Sequence, residues 1–298
     1  MSEWYESELE TAELGDGRLN ERFGSILEAL TARPNVSIPA SLGGRAEMEA
    51  AYRFFGNEKV MPEKILKPHF AATVKRCKEQ KVVLCVQDTT ELDFTRPKQQ
   101  VAGAGPLDGG KRRGAFLHLS ETFTEAGTPL GGIEAKMWVR EDHDESHPRL
   151  TKAEKHKKRK SIPIEEKESI RWIEGIQASQ KLAEQCPETT VISLSDSEGD
   201  IYELFVAPRT TDNFHFIVRA GQERAVLDET GVIQGVIRTA VMSHPVLFTN
   251  EITVRGREQL VSCETSSRRQ RKAAASRMSC RSLPQNRSCY SLVFSSEQ

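Results

Sequence analysis

Lys81-Val82-Val83-Leu84-Cys85-Val86-Gln87-Asp88 is a short, β-branched apolar run that ends in a carboxylate, and Thr189-Thr190-Val191-Ile192-Ser193-Leu194-Ser195-Asp196 repeats the arrangement further along the chain. Each reads as a buried strand closed by an acid. Working outward, Leu117 to Phe123 and Ile133 to Val139 alternate weakly and predict two more strands, joined by a turn at Glu125-Ala126-Gly127-Thr128-Pro129. Phe214 to Arg219 predicts another. Helical spacing runs through Ile170, Ile173, Ile176 and Leu182 between Ile164 and Gln185, and a short helix is expected over Ile201 to Phe205. A meander followed by strands alternating with helices predicts an α/β domain built on a mixed sheet flanked by helices. Between the first two strands, Gly103 to Gly114 reads as a mobile, glycine-rich basic loop.

The N-terminal part has a different texture. Leu19, Phe23, Ile26, Leu27 and Leu30 recur at three- and four-residue steps and predict a helix over Asn20 to Thr31, stopped by Arg33-Pro34. Ser41-Leu42-Gly43-Gly44 opens a second helix, Arg45 to Phe55, with Met48, Ala51, Tyr52 and Phe55 on one face. A third runs from Pro62 to about Glu79. Tyr52, Phe54 and Phe55 are expected in the core, the commoner fate of aromatics at helical spacing. After about Ser262, Ser and Arg dominate and apolar periodicity is lost, so disorder is expected from there onward. The expected organisation is a small all-α domain over 1–70, an α/β domain over 71–261 and a disordered tail over 262–298.

With 29% charged and 37% apolar residues, the composition is that of a folded globular protein, with no apolar run of membrane-spanning length and an acidic rather than basic start. No membrane role is expected. The six cysteines show no zinc spacing and read as free thiols. A net charge of -1 excludes global attraction to nucleic acid, so any DNA site must be a local patch.

Two aspartates on neighbouring strands admit two readings. Each can cap the turn that follows it, or the pair can share hard divalent cations, which prefer carboxylate oxygen. Two such ions can activate an attacking water and stabilise the leaving oxygen of a phosphodiester. Glu198 and Asp200 sit just past Asp196 and suit the start of the next helix.

The flanking text adds a family. Val86-Gln87-Asp88-Thr89-Thr90, then Glu166-Lys167-Glu168-Ser169 with Trp172, then Asp196-Ser197-Glu198-Gly199-Asp200-Ile201-Tyr202 and Phe216-Ile217-Val218-Arg219 resemble, in order and spacing, the core of the transposase of transposon Tn-five and its insertion-sequence relatives of the IS-four type. Leu14-Gly15-Asp16 with Arg18, and Ala50-Ala51-Tyr52-Arg53-Phe54-Phe55 with Asn57, look like that family's helical DNA-binding domain. The resemblance runs from about Trp4 to Phe248. It implies a ribonuclease-H-like catalytic domain, with Asp88 and Asp196 as two members of an Asp-Asp-Glu triad binding Mg2+ or Mn2+. It also implies cut-and-paste transposition on DNA, a homodimer bridging the transposon's inverted ends with target DNA as a further partner, and a bacterial cytoplasmic, nucleoid-associated location.

The family's third acid lies in a Tyr-Arg-Glu-Lys signature that this sequence lacks; Glu251 and Glu258 come too early, and Glu264 and Glu297 fall in the shifted tail. The expectation is therefore a C-terminally truncated or frameshifted chain with impaired catalysis. Two rivals stand beside the active transposase: a catalytically dead DNA-binding remnant, and an unrelated two-aspartate phosphatase. Candidate DNA contacts are Arg18, Arg45 and Arg53 in the N-terminal helices, Lys111, Arg112 and Arg113 in the glycine-rich loop, the run Lys157, Lys158, Arg159 and Lys160, and Arg219 at its strand end. For each, the alternative is a solvated or acid-paired cation.

Overall fold

The computed structural model describes residues 4–96, 99, 101–108, 111–142, 151, 154, 161–228, 230–243, 248–254, 257–265 and 291–293. Five helices come first: α1 (Trp4–Leu9), α2 (Gly17–Ala32), α3 (Ile38–Ser41), α4 (Arg45–Phe55) and α5 (Pro62–Lys78). The start of α2 shows why Leu14-Gly15-Asp16 is needed. Leu14 is fully buried, Gly15 takes a φ of 77° that disfavours any side chain, and Asp16 caps the helix by accepting from the Arg18 N–H at 3.0 Å. The Arg18 guanidinium beside it, with that backbone bond, holds the Asp16 carboxyl below the usual carboxylate range.

Leu14, Phe23, Ile26, Leu42, Ala51, Phe54 and Val60 form the small helical core, in which Phe23 and Phe54 stack with ring centroids 5.9 Å apart. Only one of the three expected core aromatics is there. Phe54 is buried, whereas Tyr52 is 53% and Phe55 47% exposed. Three consecutive turns of α4 leave room for one inward face, and Ala51 with Phe54 fills it.

Helix α5 runs without interruption through the expected boundary at residue 70 and packs on the sheet. A clasp secures it to α1. The largely buried Glu8 accepts from Arg76 and lies 2.8 Å from His69 Nδ1, while the Gly132 N–H donates to His69 Nε2 at 3.0 Å and Arg76 Nε donates to the Leu130 carbonyl at 2.5 Å. Because His69 Nε2 accepts from a backbone N–H, its proton sits on Nδ1 and points to Glu8.

The larger unit is mixed α/β. Its six-stranded sheet is built from β1 (Val82–Asp93), β2 (Gly105–Pro106), β3 (Arg113–Phe123), β4 (Pro129–Trp138), β5 (Thr190–Ser195) and β6 (Phe214–Val218). The path is β2-β3-β1-β5-β6, with β4 also on β3; β1, β3 and β4 pair antiparallel, and β5 joins β1 and β6 in parallel. The first strand outruns its expected end at Asp88, because Thr89, Thr90 and Leu92 keep their partners on β3 as far as Asp93 opposite Gly114. The two ends of the glycine-rich stretch are likewise drawn into the sheet. Gly105 and Pro106 pair with Gly114 and Arg113, and a Cβ on Gly105 would lie 2.1 Å from the Arg140 carbonyl oxygen. Gly105 and Gly114 serve close backbone approach, whereas Gly103 takes a φ of 79° with open space around it.

Helix α6 (Ile170–Gln185) and α5 cover one face of this sheet. Val83, Cys85 and Gln87 on β1, Val191 and Ser193 on β5, and Phe214, Phe216 and Val218 on β6 are buried beneath them. A Cβ at Gly175 of α6 would fall 2.2 Å from Gln87 Oε1, so glycine sets how closely that helix lies. The buried cysteines Cys77, Cys85 and Cys186 are free thiols, and burial pushes the Cys85 thiol up to about 12. On the opposite face Leu84, Val86, Leu119, Ile192, Leu194 and Ile217 are only partly buried.

Beyond β5 lie α7 (Tyr202–Phe205), a hairpin of β7 (Ala225–Leu227) and β8 (Ile233–Val236), and α8 (Ile237–Met242). Strand β9 (Phe248–Val254) pairs antiparallel with β10 (Arg257–Thr265), and β11 (Ser291–Val293) joins β10 in parallel. Of the tail expected to begin at 262, Ser262 to Thr265 lie in β10 and Ser291 to Val293 in β11. Backbone pairing of Ser262 with Thr249 and Cys263 with Phe248 carries the strand past the change in composition. The rest of that tail lies outside the described residues. Among those described, no helix is long and apolar enough to cross a membrane.

Candidate metal and nucleic-acid site

Gln87 of β1 is the register partner of Ser195 of β5, and Ser195 is that of Val218 of β6. The next residue of each strand, Asp88, Asp196 and Arg219, therefore falls at one level on three adjacent chains. Alternation turns these residues to the face away from α6, opposite the buried Gln87 and Val218. Asp196 keeps an extended backbone (φ -76°, ψ -168°), so the alternation carries past the end of β5. All three are exposed. Neighbouring strands lie about 4.8 Å apart, so the backbones that carry the two carboxylates are adjacent.

Asp196 also caps the one-turn 3-10 helix Ser197–Gly199, its Oδ1 accepting from the Glu198 N–H at 2.8 Å. Capping and metal binding do not compete outright, since a carboxylate has two oxygens and about four lone-pair directions. The turn is tight because Gly199 presses on β5 and α6; a Cβ there would lie 2.6 Å from Ser195 Oγ and 3.2 Å from Trp172 Cε3. The other two acids of this motif do something different from capping. Glu198 pairs with Arg171 at 2.7 Å. Asp200 is buried, accepts from the N–H groups of Gly221 and Gln222 at 2.7 Å each, and pairs with Arg224, so it fixes the loop that follows β6 and Arg219.

Sequence reasoning missed the polar layer under the acids. Gln87, His118, Ser120 and Ser193 are buried on the α6 side. Burial, with the nearby Arg171 and Lys136 charges, lowers the His118 imidazole to about 4, so it is neutral at physiological pH. The available signal was polar text inside β-branched runs, Gln87 and Ser193 above all, at positions where an apolar core alone would place Val or Ile.

The candidate DNA contacts separate by partner. Arg18 pairs with Asp16 and Arg45 with Glu49, but these arginine side chains are 89% and 88% exposed, and such pairs exchange readily for phosphate. Arg53 is exposed on α4 beside Tyr52. Arg112 pairs with Glu91 at 2.5 Å, and Arg113 with Asp142 at 3.0 Å while also donating to the Ala104 carbonyl at 2.6 Å. These two hold the corner of β2 and β3, leaving the exposed Lys111 as that loop's solvent-facing cation. Lys157, Lys158, Arg159 and Lys160 lie outside the described residues. Arg219 makes no ion pair among the described residues, and its N–H donates to the Ser195 carbonyl at 3.0 Å.

The fold thus defines a mixed α/β protein with a small helical N-terminal unit. Residues 1–60, which hold α1 to α4, match the family model described as Transposase DNA-binding. The match supports a transposase N-terminal DNA-binding domain, and DNA is the partner it implies.

Proposed function

We propose that this chain acts on transposon DNA as a transposase of the Tn-five and IS-four type. In this reading the helical domain holds the element's inverted ends and the ribonuclease-H-like sheet presents Asp88 and Asp196 to divalent cations. The observation that carries it is the common level of Asp88 and Asp196 on one sheet face in a chain whose first 60 residues match a transposase DNA-binding model. The antiparallel β1-β3-β4 meander followed by parallel β5 and β6 supports the ribonuclease-H-like reading. Two exposed carboxylates are a hard-oxygen donor set that fits Mg2+ or Mn2+. Bound there, such an ion supplies charge neutralisation and polarisation of a phosphodiester. Arg219, level with both acids, suits a phosphate oxygen of the same strand of DNA.

Asp88 and Asp196 are the two acids this reading assigns to the cation, and a cation held by two carboxylates is less well anchored than one held by three. DNA binding with strongly impaired cleavage is therefore the expected behaviour of the isolated chain. The experiment is a gel shift on end-containing DNA at two salt concentrations together with a Mg2+-dependent nicking assay. Salt-sensitive binding with little nicking is expected. Nicking abolished by Asp88→Ala would instead mean an active enzyme, and affinity indifferent to salt would remove the DNA reading in favour of a small-substrate phosphatase.

A further inference from the structure

A directed chain of hydrogen bonds runs beneath the two carboxylates, and it begins at Arg171 on α6. A guanidinium only donates. Arg171 Nε donates to Thr89 Oγ1 at 2.9 Å, so the Thr89 hydroxyl proton turns to His118 Nδ1, also at 2.9 Å. Neutral His118 then carries its own proton on Nε2, facing Gln87 Oε1 at 3.4 Å, and Gln87 Nε2 donates to Ser193 Oγ at 2.8 Å. The chain stitches β3, β1 and β5 together one residue from the level of the acids.

Arg171 has a second arm. Its Nη2 donates to Glu198 Oε2 at 2.7 Å and its Nη1 to the Glu168 carbonyl at 2.9 Å. Glu198 is the residue whose N–H holds Asp196 Oδ1, and Thr89 is the residue after Asp88. One side chain, only 11% exposed and flanked by the Trp138 and Trp172 rings at 5.3 and 5.5 Å, thus grips both acid-bearing segments.

We propose that Arg171 is a positioning residue that sets the separation of Asp88 and Asp196, tying the strand just past the first to the turn just past the second. The inference rests on the reading of those acids as cation ligands. Its effect travels through hydrogen bonds to other side chains, the arrangement by which outer residues tune metal sites.

The test is Mn2+ affinity of the full chain, read from the electron paramagnetic resonance of the free ion, with chemical denaturation of each variant alongside. Arg171→Ala is expected to weaken Mn2+ binding about tenfold, the lower end of the range for such outer partners. Glu198→Ala, at an exposed position that tolerates truncation, carries the test if Arg171→Ala fails to fold. It should weaken binding in the same direction with an unchanged denaturation midpoint. Glu198→Gln, whose amide oxygen still accepts from Arg171, should stay within about twofold of the parent.

If Asp88→Ala abolishes Mn2+ binding while Arg171→Ala and Glu198→Ala leave it unchanged, the positioning role is overturned and the cation reading stands. Glu198→Gln as weak as Glu198→Ala would overturn it too, because charge and not bond geometry would then govern. Binding that is absent, or indifferent to Asp88→Ala, overturns the cation reading and the positioning role together.

Discussion

Gly114 on β3 lies directly against the carbonyl of Leu92 on β1, so close that a Cβ on Gly114 would sit 1.9 Å from that oxygen. The contact closes the far end of the long β1-β3 ladder, where Asp93 pairs with Gly114. Gly114→Ala must push two paired backbones apart, and a loss of about 3 kcal/mol is expected, comparable to other overpacked sites. Gly127→Ala, at a turn residue with φ 82° and no heavy atom within 4 Å, should cost only about 1 kcal/mol from backbone strain. Urea denaturation of the two variants measures the contrast; equal losses would mean that the ladder end tolerates separation.

Acid should destabilise the protein through His118. Its imidazole falls to about 4 in the folded state against an ordinary value of 6.5, so the unfolded chain takes up the proton first as pH drops. Stability contributed by neutral His118 is complete above pH 6.5 and is lost as pH falls from 6.5 towards 4, by roughly 3 kcal/mol over the window. Unfolding free energies at pH 7, 5.5 and 4.5 should trace this slope, and His118→Gln should flatten it. A variant with the parent's slope would place the acid sensitivity elsewhere.

Glu8 should matter to stability more than a surface acid does. It is largely buried and serves both His69 and Arg76, which reach β4 in turn. Glu8→Ala leaves a partly buried guanidinium without its carboxylate partner, with an expected loss of about 2 kcal/mol. Glu8→Gln, which retains an acceptor oxygen, should lose less. Hydrogen exchange at Gly132 should rise in Glu8→Ala, and no change there would show that the clasp does not hold β4.

DNA affinity should fall with salt, and Arg45→Ala and Arg53→Ala should each reduce the slope of log affinity against log salt by about 1 if the residue neutralises a phosphate. Gel shifts on end-containing DNA across a salt series give the slope. Arg112→Ala is the control; its guanidinium already pairs with Glu91 and Asp93, so the slope should hold.

Much of the fold was legible because the strongest signals were local. Helix α4 falls at its expected bounds, Arg45 to Phe55, and β5 ends where Asp196 was expected to close it. What failed depended on partners distant in sequence. The continuation of β1 past Asp88 depends on the β3 ladder, and the close seating of Gly105 and Gly114 on the Arg140 and Leu92 carbonyls. Tyr52 and Phe55 faced outward because Ala51 and Phe54 had filled the inward face of α4. Arg171 was unremarkable in one dimension: it lies far along the chain from Thr89, and nothing short of the fold brings them together. The level of Asp88 with Asp196 was an expectation from strand endings, yet it comes from register, with β1 running on past the first acid.

The most direct test of the paired acids is a double-mutant cycle on Mn2+ binding with Asp88→Asn, Asp196→Asn and the combination. If the two carboxylates hold a common ion, each single change weakens binding at least about tenfold and the pair is strongly non-additive, because the first substitution already removes most of the site. Two independent, additive losses, or none, would contradict a shared cation at the edge of β1 and β5.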